Sequence, residues 1–213
     1  MARKQRLTRE ESREQTRQGL IEAAGVVIAK LGLAAARVED IAEYAGYTRG
    51  AFYSNFESKL EVFIELLKKD HVGIQNDLQQ LLDTDVAKED LQEAVTSLYV
   101  QCYHDRNSYL LWAEARHYAM RDTKFRQRLN ALTLEKRDVI AYFITQFCKR
   151  MNIQPPLEPS VLALTMMTLI DGVLYLNMSM PNEMPDEALR AALGTFFRST
   201  FFGHSHVADA ETS

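Results

Sequence analysis

Cysteine, proline, glycine and tryptophan are scarce in this chain of 213 residues, numbering two, five, nine and one. Cys102 and Cys148 have no C-x-x-C spacing, which excludes a paired-cysteine zinc site and a disulfide scaffold. A reducing cytoplasm is the expected compartment. The shortage of proline and glycine leaves long segments without a helix breaker, and the abundance of Leu, Ala, Glu, Arg and Gln points to an all-α fold. No Walker-type loop and no G-x-S-x-G turn occurs. Glu114 and His117 have the Glu-x-x-His spacing of a di-iron bundle, but no second such pair completes the ligand set. His204 and His206 lie in a segment expected to fray. No cofactor, metal or catalytic constellation is therefore expected, and the chain does not read as an enzyme.

Two further features argue against export and membrane insertion. The opening MARKQRLTREESREQTR is polar and lacks the apolar core of a secretory signal. Residues 160–180, SVLALTMMTLIDGVLYLNMSM, are long enough to span a bilayer, but Asp171, Gly172 and Asn177 interrupt them and no basic flank anchors them. A helix apolar on all sides is equally at home between two subunits, and that is the expectation here.

Charge is unevenly placed. The net charge is −4, yet residues 1–59 carry ten Lys/Arg against eight Asp/Glu. Arg3, Lys4, Arg6, Arg9, Arg13 and Arg17 crowd the start. A net-acidic protein can bind nucleic acid when its basic groups are concentrated at one end. By itself such an arm also fits a solvated tail.

Apolar periodicity predicts a first helix from near Ser12, with Leu20, Ala23, Ala24, Val27, Ile28 and Leu31 on one face and Gly32 as its stop. A short second helix follows at Val38–Tyr44, broken by Gly46, and a third at about Thr48–Phe56, with Thr48 as cap. A longer fourth helix from Glu57 or Ser58 carries Leu60, Phe63, Ile64, Leu67, Ile74, Leu78 and Leu81, long enough to connect two domains. Further helices are expected at about 86–105, 108–120, 123–151, 158–179 and 186–201.

Residues 41–59, IAEYAGYTRGAFYSNFESK, form a helix–turn–helix pattern whose second helix would enter the major groove of duplex DNA. Arg49 suits guanine O6 and N7, although a solvated surface arginine fits the sequence as well. Gly50 allows close backbone approach or helix packing. Tyr53 and Asn55 offer neutral donors to phosphates. Phe52 and Phe56 are expected in the small core. Lys59, at a helix start, adds charge where an anion is already favoured.

LIEAAGVVIAKLG (20–32) and VEDIAEYAGYTRGAFYSNFESKLEVF (38–63) resemble the TetR family of bacterial transcriptional regulators. Ile41-Ala42, Ala45-Gly46, Gly50, Tyr53 with Phe56, and Lys59 carry the resemblance. It implies an all-α homodimer with an N-terminal three-helix DNA-binding domain. A long fourth helix would join that domain to a helical ligand-binding and dimerisation domain. It also implies that Tyr53, Asn55 and Lys59 meet the DNA backbone, while Thr48, Arg49, Gly50, Ala51 and Ser54 face the groove. The chain departs from the family pattern at Ala35-Ala36-Arg37-Val38, where a hydroxyl residue often opens the second helix, so Arg37 becomes a candidate charged contact. Ser54 and Asn55 stand where an aromatic and a histidine are frequent.

The domains expected are 1–58 for DNA binding, including the basic arm, 59–205 for ligand binding and dimerisation, and a disordered tail at 206–213. The apolar helix 158–179 and the last helix are the expected dimer surface, and a palindromic operator in double-stranded DNA is the expected partner. Tyr103, Trp112, Arg116, His117, Phe143, Phe147, Met167, Asp171 and Tyr175 combine aromatic, thioether and polar groups suited to a hydrophobic or amphipathic effector. An ordinary helical core accounts for any one of them singly. The function expected is a repressor released by such a ligand. The alternative is a regulator with no small-molecule ligand, controlled through its C-terminal interaction module.

Overall fold

Helix α1 (Arg9–Leu31) begins before Ser12 because Thr8 caps it. The Glu11 amide donates to Thr8 Oγ1 at 3.2 Å, and the Thr8 amide donates to Glu11 Oε2 at 2.7 Å. These hydrogen bonds hold the Glu11 carboxyl below the usual glutamate range. The helix ends at Gly32, whose φ of 78° favours a residue without a side chain. The computed structural model describes residues 8–83, 90, 93–95, 97 and 106–202.

Helix α2 (Val38–Tyr44) is followed by a Schellman turn. The Tyr47 amide reaches Ala42 O at 2.8 Å, the Gly46 amide reaches Glu43 O at 3.0 Å, and Gly46 takes φ 73°. Helix α3 (Arg49–Tyr53) is shorter than its sequence pattern suggests, closing on Ser54. Then come α4 (Lys59–Asp83), α5 (Arg106–Ala119), α6 (Thr123–Met151), α7 (Pro159–Ser179) and α8 (Asp186–Phe202). Among the described residues there is no strand, and the all-α expectation holds. Most of the helix expected at 86–105 lies outside the described residues, as do Arg3, Lys4, Arg6, Tyr103 and the tail from 206.

The chain divides into two compact units: residues up to His71 with Leu110–Leu132, and Val72–Tyr109 with the chain from Thr133. In the first unit, Leu20, Ala24 and Ile28 of α1 share one core with Ile41, Phe52, Phe56, Phe63 and Leu67. Trp112, Ala115, Ala119, Phe125 and Leu129 complete it from α5 and α6. Phe63 stacks on Phe125 at 6.0 Å between centroids. Two polar ties fasten α5 here: Trp112 Nε1 donates to Asp70 Oδ2 at 2.6 Å, and the Leu33 amide donates to Glu114 Oε2 at 2.9 Å. Glu114 thus satisfies an amide at the end of α1.

In the second unit, Phe143, Ile144 and Phe147 of α6 meet Leu162, Ala163, Val173 and Leu174 of α7 and Leu193, Phe197 and Phe201 of α8. Asn177, the buried polar residue of the largely apolar α7, accepts from Arg106 Nη2 at 2.8 Å. Burial pushes the Cys148 thiol up to about 11, which leaves it protonated and unreactive near neutral pH. Helix α7 is long and apolar enough to cross a membrane, but one side of it packs in this core.

The turn before α3 gives a direct test. Gly46→Ala should destabilise the protein by about 1–2 kcal/mol, the cost of a side chain in the left-handed region. A urea midpoint equal to that of the unmodified protein would contradict this turn geometry.

Candidate nucleic-acid interface

Helix α3 is positioned from the inside. Phe52 and Phe56, one turn apart, are 0% and 2% exposed in the first unit's core. Residues on the other side of so short a helix must face solvent. Thr48, Arg49, Gly50, Tyr53 and Ser54 are exposed and Ala51 is half-buried. Of the five residues expected from the sequence to face the groove, Thr48, Arg49, Gly50 and Ser54 are thus accessible and Ala51 partly so.

Each of the five has a defined setting. Thr48 Oγ1 accepts the Ala51 amide at 3.1 Å and so opens the helix. Arg49 pairs with Glu39 of α2, Nη1 to Oε1 at 2.9 Å, and its Cζ stands 5.5 Å from the centre of the Tyr53 ring. Ser54 Oγ donates to Gly50 O at 2.9 Å. A Cβ built on Gly50 would meet only Thr48 Oγ1, at 3.7 Å, which is ordinary contact. Packing within the protein therefore does not require glycine at that position.

Three other candidates are placed differently from the rest. Arg37 is exposed at the start of α2, and its amide donates to Asp40 Oδ2 at 2.9 Å. Asp40 thus makes one half of a capping box, accepting the N-cap amide, while Arg37 has no acceptor to take the amides that a hydroxyl residue would cap. Asn55 turns back on its own helix, Nδ2 donating to Ala51 O at 2.8 Å, while its Oδ1 is buried without a hydrogen-bond partner. Lys59 points into the loop between α1 and α2. Its ammonium donates to Leu33 O at 2.6 Å, Ala36 O at 2.6 Å and Ala34 O at 3.3 Å. Three donors on three carbonyls exhaust the ammonium's hydrogen-bonding capacity. Burial lowers the Lys59 pKa below the usual lysine range, and the Asp40 carboxylate opposes that shift.

Sequence reasoning passed over Glu39 and Arg17. Arg17 lies 4.5 Å over the Phe56 ring and pairs with Glu65 at 2.6 Å, fastening α1 to α4 across the back of α3. Its place in the basic run of α1 was visible, but its partner on α4 was not.

The residues expected around an effector are divided between the two units. Trp112 is in the first core, Arg116 is half-buried and His117 exposed on the same helix. Phe143 and Phe147 are buried in the second core with rings 6.1 Å apart. Met167 and Asp171 are half-buried on α7, and Tyr175 is 59% exposed. Tyr103 lies outside the described residues.

A buried scaffold that exposes one short polar helix after a glycine turn defines a helix–turn–helix DNA-binding regulator. Residues 20–66 match the family model for bacterial regulatory proteins of the tetR family, and residues 87–201 match that for the C-terminal part of BetI-type transcriptional repressors. The second match alone covers more than half of the chain, and the chain belongs to the TetR family of transcriptional regulators. The regulator ArpR of Pseudomonas putida is 41% identical over 83 residues, which are 37% of this chain and 39% of that protein. The match thus spans only about two fifths of that relative's length. FadR of Bacillus subtilis, solved in complex with stearoyl-CoA, superposes with a TM-score of 0.68 at 20% identity, covering 86% of this chain and 98% of that one. SmeT of Stenotrophomonas maltophilia, solved in complex with triclosan, gives 0.66 at 20% identity, with 87% and 91% covered. At such identities these two structures establish a shared fold.

Lys59→Met separates two roles. A residue that ties a loop should lose roughly 2 kcal/mol of stability when its charged hydrogen bonds go. A residue that neutralises a phosphate should instead leave stability nearly unchanged and reduce the salt dependence of DNA binding by about one ion. Thermal unfolding is expected to give the first result.

Proposed function

We propose that the protein is a homodimeric repressor that binds a palindromic operator and is released by a small hydrophobic or amphipathic effector. The observation that carries the reading is the exposed surface of α3, Thr48, Arg49, Gly50, Tyr53 and Ser54, set on a helix whose other side is fully buried. Arg49 reads a base edge, Gly50 lets the backbone approach, and Tyr53, Thr48 and Arg37 position the phosphates. Lys59, with all three donors engaged inside the protein, and Asn55, with one N–H held by Ala51 O, shape the head rather than touch DNA. DNA binding belongs to residues 1–58 and regulation to 59–205, in a cytoplasmic protein.

One short reading helix is too little for selective genomic binding, so two copies are needed. Along α7, Val161, Leu164, Thr168, Gly172 and Tyr175 are exposed at helical spacing, with Val161, Leu164 and Tyr175 at 47%, 51% and 59%. On α8, exposed Ala188, Ala192 and Thr195 add small residues that permit close approach. These two surfaces support a dimer through α7 and α8. Leu164→Glu should convert the dimer to a monomer in sedimentation velocity while leaving helical content intact. An unchanged sedimentation coefficient would refute this interface.

The stearoyl-CoA bound to FadR and the triclosan bound to SmeT support an effector of apolar body, as does the aromatic content of residues 99–147. Effector binding would favour a dimer conformation whose reading helices no longer match one face of the duplex, which requires unequal affinity for the two conformations.

The deciding experiment is fluorescence anisotropy on duplexes enriched by the protein from a random-sequence pool, across a salt series. Specific binding with Kd on the order of 10⁻⁸ M or tighter, resistant to competitor DNA, is expected. Gly50→Ala should weaken it while leaving stability equal or raised by about 0.5–1 kcal/mol. Weak, sequence-blind binding would sink the proposal.

A further inference from the structure

Arg49 is not presented to solvent as a bare cation. Its Nη1 is paired with Glu39 Oε1 at 2.9 Å and its Cζ stands 5.5 Å from the Tyr53 ring centre. The partners come from two different helices, α2 and the end of α3. The side chains of Arg49 and Glu39 are 65% and 50% exposed, so the pair adds little to the stability of the fold. Glu39 has no capping duty either, because Asp40 already accepts the Arg37 amide.

The consequence of the pair is electrostatic and directional. A lone guanidinium beside a duplex is drawn to phosphate whatever the sequence. With its carboxylate partner, Arg49 forms a pair that has no net charge to offer the backbone. What it retains is its planar fork: the contact with Glu39 falls on Nη1, leaving the Nε and Nη2 edge in a geometry that matches O6 and N7 of guanine. The Tyr53 ring restricts the swing of the guanidinium, and the Glu39 carboxylate repels any phosphate that approaches the pair.

We propose that Glu39 is a specificity-determining residue: by neutralising Arg49 and fixing its orientation, it makes that arginine a reader of a guanine edge instead of a binder of phosphate. The inference rests on the DNA-reading function proposed above. Glu39 is a positioning residue in this scheme, since it acts through Arg49.

The test compares unmodified protein, Glu39→Gln, Arg49→Ala and the double variant, each full-length. Each is titrated by anisotropy against a duplex enriched from a random pool and against its scrambled counterpart, at several salt concentrations. Glu39→Gln should bind the scrambled duplex more tightly and steepen its salt dependence by about one ion per half-site. The ratio of specific to scrambled affinity should fall by about tenfold, the lower range for one good bidentate base contact. In the Arg49→Ala background, Glu39→Gln should leave that ratio unchanged. A ratio untouched by Glu39→Gln in the native background overturns the proposal, and so does an equal fall when Arg49 is already absent. If the unmodified protein fails to discriminate the enriched duplex from the scrambled one, the DNA-reading function itself fails, and this inference with it.

Discussion

Five residues cannot hold a helix in water, because the nucleation cost of the first turn exceeds what so few hydrogen bonds return. Helix α3 therefore depends on the burial of Phe52 and Phe56 in the core of the first unit. Everything exposed at the reading surface is the complement of that burial. With positions 52 and 56 held inward, positions 49, 50 and 53 must face out. Arg17 reinforces the arrangement from behind, covering Phe56 with its guanidinium while Glu65 satisfies its charge.

The loop that joins α1 to α2 is secured by polar groups drawn from elsewhere. The carbonyls of Leu33, Ala34 and Ala36 end on the Lys59 ammonium, and the Leu33 amide ends on Glu114. A connection with so many otherwise unmatched backbone groups would be costly to bury, and these two side chains remove that cost. The position of α2 in turn sets where Glu39 stands, and hence how Arg49 is held. The exposed surface of α3 is thus set in part by residues that lie outside it.

Much of this was legible in the chain. The apolar spacing of α1, the Gly46 turn and the Thr48 cap follow from local rules of helix chemistry, and the structure contains all three. The start of α1 was legible too, since Thr8 and Glu11 have capping-box spacing, but the apolar stripe begins only at Leu20 and drew the expected start inward. Lys59 is the instructive case. A lysine at a helix start invites an anion by general electrostatics, and no sequence rule announces three carbonyls from a loop more than twenty residues upstream. Arg37 is similar: the helix lacks a side-chain cap at that position, as the missing hydroxyl residue implies, and Asp40 three residues on takes up only the Arg37 amide.

Local patterning by itself determined where most of the helices lie, the turn, which phenylalanines turn inward and the family, because each is written in residues a few positions apart. The persistence of so short a helix as α3, by contrast, needs the core. Only the tertiary structure decided which donors are occupied and which side chains share a core. Trp112 and Phe125 join α1–α4 although far away in the chain, while Phe143 and Phe147 of the aromatic-rich half build a second core. Whether Lys59 turns inward, or Arg49 meets Glu39, depends on distances between helices. Those distances are set by the packing of side chains remote in sequence, and no spacing along the chain encodes them.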